Sequence, residues 1–258
     1  MHDIPLNLPG ILPVLFKVAG FTVRTYTVFM ILAFLTGILV YSQEVKKARL
    51  QGEPSFLIAI GAFVGSVIGA KVLELIINID KVKAVSDFFI FILSGRTLIG
   101  GLIGGTLGVW LIKKILKIRG RRGNLFAPAI ALGVAVGRIG CFFNGCCYGK
   151  PTNLPWGINF GDGISRHPTM LYESAFMMIM YFWLKDLNAK GNAVPGSLFT
   201  LLMILYFGFR FLVEFIRVER VAFLGFTWFQ VIAIIVLAWL LISDRKLIFK
   251  ATNHEKSI

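Results

Sequence analysis

The chain consists of long apolar runs separated by short polar loops, and this pattern restricts its fold more than any other feature. Of its 258 residues, 57% are hydrophobic and only 16% are charged, whereas a soluble domain carries about 25% charged residues. Only helices and closed barrels satisfy all their backbone hydrogen bonds inside a bilayer, and a spanning helix needs about 20 apolar residues. The runs therefore predict an all-α membrane protein.

The apolar runs predict about seven transmembrane helices. We place them at residues 25–41, 56–79, 96–112, 125–143, 170–184, 197–216 and 222–242. Residues 88–93 are also apolar but are too short to cross a bilayer, so we expect this segment to re-enter the membrane or to lie at its surface.

The remaining segments complete a single transmembrane domain over residues 1–258. We expect residues 1–24 to form an interfacial arm, and because this arm lacks a basic first region we do not expect it to be a cleaved signal peptide. Residues 144–169 form the longest polar connection and are rich in Gly and Pro. Connections of this length usually carry function. Residues 244–258 form a polar tail.

The positions of lysine and arginine predict the orientation of the chain. Alternate loops, at residues 43–54, 113–124, 185–196 and 244–258, hold 15 of these residues, and the loops on the other side hold 8. Cytoplasmic loops carry the basic excess, so we expect the N-terminus outside, the C-terminus in the cytoplasm and the loop 144–169 outside. The formal net charge of +14 then reflects orientation and lipid contact, and nucleic acid is not an expected partner.

Two arginines lie inside predicted spans, where a charge is costly and needs a partner or a function. Arg138 and Arg210 both lie near the outer ends of spans that run in the same direction. Two guanidinium groups at one height suit a lipid phosphate, because each presents paired N–H donors. Glu214, four residues after Arg210, could instead neutralise that arginine, which would leave Arg138 without a carboxylate at similar depth.

Two series of glycines have the spacing of closely packed helices. Gly100 and Gly101 belong to a run of glycine pairs, and Gly61, Gly65 and Gly69 recur at every fourth position. This spacing favours helix packing. For Gly100 and Gly101, a smooth wall against a lipid head group is a second interpretation that is compatible with the first.

A third polar group lies at the predicted start of the fifth span. Pro168 suits the first position of a helix, and His167, Tyr172 and Glu173 flank it. These side chains either anchor the helix start at the membrane surface or help to hold a head group or an incoming polypeptide.

The three cysteines, Cys141, Cys146 and Cys147, lie within seven residues of one another. Their spacing is not C-x-x-C, and neighbouring cysteines rarely both coordinate one ion. We expect buried small thiols, with no metal and no cofactor. A disulfide from Cys141 to either of the other two, and a zinc site, stay open as less favoured alternatives.

With these residues in place, the sequence resembles the prolipoprotein diacylglyceryl transferase family. The matching segments are Arg24-Thr25-Tyr26, Gly100-Gly101-Leu102-Ile103-Gly104, residues 137–149, residues 166–173 and residues 206–214. The chain also departs from the family pattern. Ile99 stands where the family has a histidine, Cys141 and Cys146 stand where it has Asn and Glu, Arg24 replaces a histidine and Lys71 replaces an arginine.

The resemblance implies an enzyme of the bacterial plasma membrane. Such an enzyme moves the diacylglyceryl group of phosphatidylglycerol to the lipobox cysteine of a prolipoprotein signal peptide and forms a thioether. It implies catalytic roles for Arg138, Arg210, Glu214 and Tyr26. It implies substrate contacts for Arg24, Lys71, Gly100, Gly101, Asn144, Gly149, His167, Tyr172, Glu173 and Tyr206.

Some questions stay open at this point. With Ile99 in place of a histidine, the candidates for a base are Glu214 and, more weakly, His167. The chain could also be a paralogue that has the same lipid pocket but another acceptor or no catalysis. A small-solute transporter is less favoured, because the sequence shows no internal repeat.

Overall fold

The computed structural model describes residues 9–18, 21–50, 52–77, 79, 97–191, 193–219, 221–223 and 225–243. Within them are seven α-helices: α1 (Thr25–Lys47), α2 (Gly52–Ile77), α3 (Leu98–Ile115), α4 (Gly123–Asn144), α5 (Thr169–Ala189), α6 (Ser197–Val213) and α7 (Trp228–Ser243). Three antiparallel hairpins are β1–β2 (Val14–Val18, Phe21–Arg24), β3–β4 (Ile158–Asn159, Ser165–Arg166) and β5–β6 (Val221–Phe223, Phe226–Thr227).

The seven helices lie at the seven predicted spans, and this confirms the all-α membrane fold. Five of them, α1, α2, α3, α4 and α6 with its continuation to Ile216, are long and apolar enough to cross a bilayer. The other two carry exposed apolar side chains, such as Phe182 on α5 and Ile242 on α7. In water such faces would be unfavourable, whereas in lipid they are matched to their surroundings.

Some boundaries differ from those predicted. The seventh helix begins at Trp228 and not at residue 222, because the intervening residues form the β5–β6 hairpin around Gly225, whose φ is 82°. The segment 88–93, the tail 244–258 and the first eight residues of the N-terminal arm lie outside the described residues. The rest of that arm contains the β1–β2 hairpin, which ends where α1 begins.

The chain divides into two compact units. The first comprises Met1–Glu44 and Arg121–Ile258, and the second comprises Val45–Gly120. The second unit contains α2 and α3, whereas the first contains α4 to α7, the three hairpins and nearly all of α1. That residues 1–258 form one transmembrane domain stays a prediction.

In the second unit, glycines allow α2 and α3 to pack backbone against backbone. A Cβ atom on Gly65 would overlap the carbonyl oxygen of Gly104, and one on Gly69 would overlap that of Gly100. The packing interpretation of both series is therefore correct. Gly101 differs, because a Cβ there would make only an ordinary contact, 3.6 Å from the Ser66 oxygen.

In the first unit, α4 is the central helix, because α1, α5 and α6 pack against it. A Cβ on Gly140 would lie 2.7 Å from the Cβ of Phe29 on α1, so only glycine allows this approach. The Ser174 hydroxyl donates to the Ala135 carbonyl at 2.8 Å and ties α5 to α4. Asn124 accepts from the Leu198 amide at 3.1 Å and so caps the start of α6.

The polar connection after α4 is ordered by backbone pairing. The Gly149 amide donates to the His167 carbonyl at 2.8 Å, and the Lys150 amide donates to the Ile216 carbonyl at 2.7 Å. A Cβ on Gly149 would lie 2.6 Å from that Ile216 oxygen, so the strand-like approach requires glycine. Elsewhere in this connection, Arg166 donates a hydrogen bond to the Asp162 carboxylate, and this bond holds the pKa of Asp162 below its usual range.

Candidate functional site

Two arginines from different helices converge on one buried carboxylate. The Arg138 Nη2 atom of α4 lies 2.8 Å from Glu173 Oε1 of α5. The Arg210 Nη1 atom of α6 lies 3.7 Å from Glu173 Oε2. The Glu173 side chain has no exposed surface. Arg138 is therefore paired with a carboxylate at its own depth, which corrects the expectation that it would have none.

Tyr206 completes the surroundings of this carboxylate. Its hydroxyl donates to Glu173 Oε1 at 2.9 Å, and both side chains are fully buried. Tyr206 and Arg210 are four residues apart on α6, so they lie on the same helical face. One turn of α6 thus supplies two of the three side chains that contact Glu173.

A second carboxylate, Glu214, lies beside the first. Arg210 Nη2 is 2.9 Å from Glu214 Oε2, so the pairing of these two residues that the sequence left as an alternative is present. The Thr227 hydroxyl donates to the other oxygen at 3.1 Å. Arg217 Nε lies 3.5 Å from Oε2. Arg210 therefore faces two carboxylates, Glu173 and Glu214.

Arg217 was not among the residues predicted from the sequence. It is buried, and its guanidinium donates to the Cys147 carbonyl at 3.0 Å and to Glu219 Oε1 at 2.7 Å. The signal that could have identified it is its position three residues after Glu214, on the same side of a helical turn. From composition alone it counts only as a loop charge.

Several buried nitrogen and oxygen atoms of this network make no hydrogen bond to any described residue. They include Arg138 Nε, Arg210 Nη1 and Glu173 Oε2. Arg210 Nη1 and Glu173 Oε2 face each other at 3.7 Å, which is an ion-pair contact and too long for a hydrogen bond. Guanidinium donors of this kind fit an additional oxyanion, because charge-assisted bonds to phosphate are strong and directional.

The three cysteines form a cluster next to this network. Their sulfur atoms all lie within 4.8 Å of one another, and no disulfide joins them. Gly145, at φ 67°, ends α4 in the left-handed conformation, and Cys147 has the same rare conformation at φ 64°. Hydrogen bonds from Cys141 and Cys146, together with Arg217, hold the pKa of Cys147 well below its usual range.

Other predicted residues lie around the cluster or at the start of α5. Tyr26 is half-buried and packs against the apolar cluster that contains Cys141. His167 Nδ1 lies 3.2 Å from the Tyr172 hydroxyl, which also accepts from Trp156 Nε1 at 2.8 Å. These contacts hold the two side chains in place at the head of α5.

The remaining predicted site residues are more widely placed. Asn144 is the half-buried last residue of α4, and Arg24 is exposed at the end of β2. Lys71, Gly100 and Gly101 belong to the second unit. The structure thus brings together Arg138, Arg210, Glu173, Glu214 and Tyr206. The catalytic and substrate-binding roles of all the predicted residues stay predictions.

The fold and this site define a class: an α-helical membrane protein whose buried arginines and carboxylates meet where three helices pack. Comparison of the sequence with known protein families narrows this class to one family. The family model for prolipoprotein diacylglyceryl transferase matches residues 13–243, and the chain belongs to this family. The resemblance seen in the sequence is therefore confirmed.

Individual relatives agree with this assignment. Each of the three described here is named phosphatidylglycerol–prolipoprotein diacylglyceryl transferase. The relative from Clostridium tetani is 33% identical over 216 residues, covering 80% of this chain and 85% of its own length. That from Finegoldia magna is 32% identical over 209 residues, covering 80% and 84%. That from Clostridioides difficile is 31% identical over 227 residues, covering 86% and 90%.

Proposed function

We propose that this protein transfers the diacylglyceryl group of phosphatidylglycerol to the cysteine thiol of a prolipoprotein signal peptide in the bacterial plasma membrane. The observation that carries the proposal is the convergence of Arg138 and Arg210 on one buried carboxylate. Two guanidinium groups held together in this way form a site for a phosphate group. Family membership supports the same reaction, because the relatives carry this activity in their names.

The reaction is a substitution at carbon. The acceptor thiol loses its proton, and its sulfur attacks the glycerol carbon that carries the phosphate. The carbon–oxygen bond breaks, a thioether forms, and glycerol phosphate leaves with the electron pair. Because negative charge gathers on the leaving phosphate, donors from Arg138 and Arg210 stabilise the transition state more than the ground state.

In this proposal Glu173 and Tyr206 are positioning residues. They hold the two arginines at one place and offset their charge before the lipid binds. The phosphate then takes Arg138 Nε and Arg210 Nη1, two donors that make no hydrogen bond to any described residue. Glu173 was expected to contact substrate, and its burial favours this positioning role instead. Tyr26, which packs against the apolar cluster that contains Cys141, keeps its proposed catalytic role.

The proton acceptor is assigned to Glu214 or His167. Glu214 lies among Arg210, Arg217 and Thr227, and His167 lies beside Tyr172 at the head of α5. We expect that Glu214→Gln or His167→Ala changes the pH dependence of the rate. If both variants keep the normal rate and pH profile, neither side chain is the base.

The test is rescue of a bacterial strain depleted of its own diacylglyceryl transferase, read by mass spectrometry of a reporter lipoprotein. We expect the intact chain to add the diacylglyceryl mass, and Arg138→Ala and Arg210→Ala each to abolish the addition. The matched control is Lys190→Ala, which removes a cation from an exposed ion pair with Asp186 and should not change rescue.

Two outcomes would contradict the proposal. Full activity of either arginine variant would refute the phosphate site. Failure of the intact chain to rescue, with expression and membrane insertion verified, would favour a paralogue that uses the same lipid and another acceptor. The departures Ile99, Cys141 and Cys146 from the family pattern are the features that make this second outcome worth testing.

A further inference from the structure

The cluster of Cys141, Cys146 and Cys147 has the geometry of a metal site with three sulfur ligands. The three sulfur atoms lie within 4.8 Å of one another. Tetrahedral zinc holds each sulfur at about 2.3 Å, which places bound sulfurs about 3.8 Å apart. We propose that these cysteines bind one zinc ion and that its fourth position takes the thiol of the acceptor. This inference rests on the proposed function.

The arrangement of all three thiols favours a metal over a disulfide. A disulfide would use two sulfurs and leave the third without a role, whereas zinc uses all three. Adjacent cysteines rarely coordinate one ion, but here the chain takes the left-handed conformation at Cys147, and the Cys146 and Cys147 sulfurs lie within 4.8 Å of each other. Cys141, near the end of α4, brings the third sulfur within the same distance.

The surroundings suit an anionic metal–thiolate group. Zinc with three thiolates carries one negative charge, and a bound acceptor thiolate adds another. Arg138 lies three residues before Cys141, on the same face of α4, and Arg217 donates to the Cys147 carbonyl. Thr169 donates to that carbonyl too, at 2.5 Å. These partners fix the ligand backbone in the way that outer contacts orient metal ligands.

A zinc ion with an open position would activate the acceptor thiol. A thiol that coordinates zinc gives up its proton, here to the base assigned above, Glu214 or His167, and binds as the thiolate, which is the nucleophilic form. Its sulfur then attacks the glycerol carbon, and glycerol phosphate leaves with the electron pair. The thioether product is neutral and a weaker ligand, so it departs. No oxidant or reductant is needed. A base at position 99, which is Ile99 here, then becomes unnecessary.

The metal site is tested first without any activity measurement. The full chain, purified in detergent with a reductant, is loaded with zinc or with cobalt and analysed for metal content and visible absorption. We expect one ion per chain and the absorption bands of tetrahedral cobalt with sulfur ligands. Cys141→Ser, Cys146→Ser and Cys147→Ser should each lose most of the bound metal. Tyr148→Phe, which alters a neighbour that is not a ligand, should keep it.

The second measurement adds an acceptor. A lipobox peptide with its cysteine should change the cobalt spectrum, and the same peptide with serine should not. Absence of stoichiometric zinc, binding of copper(I) alone, or a disulfide detected by mass spectrometry in the active protein would overturn the proposal. So would wild-type transfer by the variant with all three cysteines changed to serine.

These results separate the two proposals. A metal-free protein that still rescues lipoprotein maturation disproves the zinc site and leaves the transferase function intact. A protein that binds zinc and the peptide thiol but adds no diacylglyceryl mass disproves the function, while the metal site stands on its spectrum.

Discussion

At the scale of single residues, Glu173 connects the elements of the site. It joins Arg138 of α4 to Arg210 and Tyr206 of α6. If one partner were lost, a buried charge would be left unpaired, and this is costly. Each member of this group therefore stabilises the position of the others.

The first prediction concerns the stability of this group. Glu173→Gln should lower the free energy of unfolding by about 3–5 kcal/mol, because it leaves the buried Arg138 without its carboxylate, although Arg210 keeps Glu214. Tyr206→Phe removes one hydrogen bond and should cost about 1 kcal/mol. The measurement is denaturant-induced unfolding in detergent.

Tyr181→Phe is the control for the tyrosine change. Its hydroxyl contacts Lys185 at 3.1 Å, away from the carboxylates, so its removal should cost less than that of Tyr206. A Glu173→Gln protein as stable as the wild type would show that the arginines do not depend on this carboxylate.

The second prediction separates charge from geometry. Arg138→Lys and Arg210→Lys keep the positive charge but lose the planar pair of donors. We expect each to lower kcat about 100-fold, the usual cost of losing one transition-state donor. The change in KM should be smaller. Steady-state kinetics with phosphatidylglycerol vesicles and a lipobox peptide measure both, and lysine variants with normal kcat would contradict paired recognition.

At the scale of elements, the packing of α2 on α3 depends on particular glycines. Gly65 and Gly104 meet backbone to backbone, whereas Gly101 has room for a Cβ atom. Glycine in a helix interior is otherwise unfavourable by about 1 kcal/mol relative to alanine. At Gly65 and Gly104, the close packing of the two helices offsets this unfavourable free energy.

The third prediction follows from that contrast. Gly104→Ala should reduce the stability of the protein, because the added methyl group overlaps the Gly65 carbonyl. Gly101→Ala should leave stability unchanged or raise it. Thermal unfolding of the purified variants makes the comparison. Equal losses for both variants would contradict the packing described here, and a Gly101→Ala protein that is stable but inactive would support a substrate contact at Gly101.

At the scale of the whole molecule, the basic loops predict the orientation in the membrane. We expect a fluorescent protein fused after residue 258 to be fluorescent, because it would fold in the cytoplasm. Alkaline phosphatase at the same position should be inactive, because it requires the outer compartment. The reverse pattern would show that the charge count fails here, and phosphatase inserted in the loop 144–169 serves as the matched positive control.

Much of the architecture was predictable from local pattern. Runs of apolar residues located all seven helices, because a bilayer admits few alternatives to a helix. The predicted start of the seventh helix was wrong because the residues of the hairpin before it are also mostly apolar. Periodicity distinguishes poorly between short apolar strands and helices.

The sequence by itself determined the membrane class, the helices and the family, and it offered the pairing of Arg210 with Glu214 as one interpretation, because these depend on composition, on motifs or on neighbours along one helix. Tertiary structure alone decided that Glu173 lies between two arginines and that three sulfur atoms converge. Those contacts join residues that are distant in the chain or that are turned by left-handed backbone. Their physical basis is the three-dimensional packing of α4, α5 and α6, which no local pattern encodes.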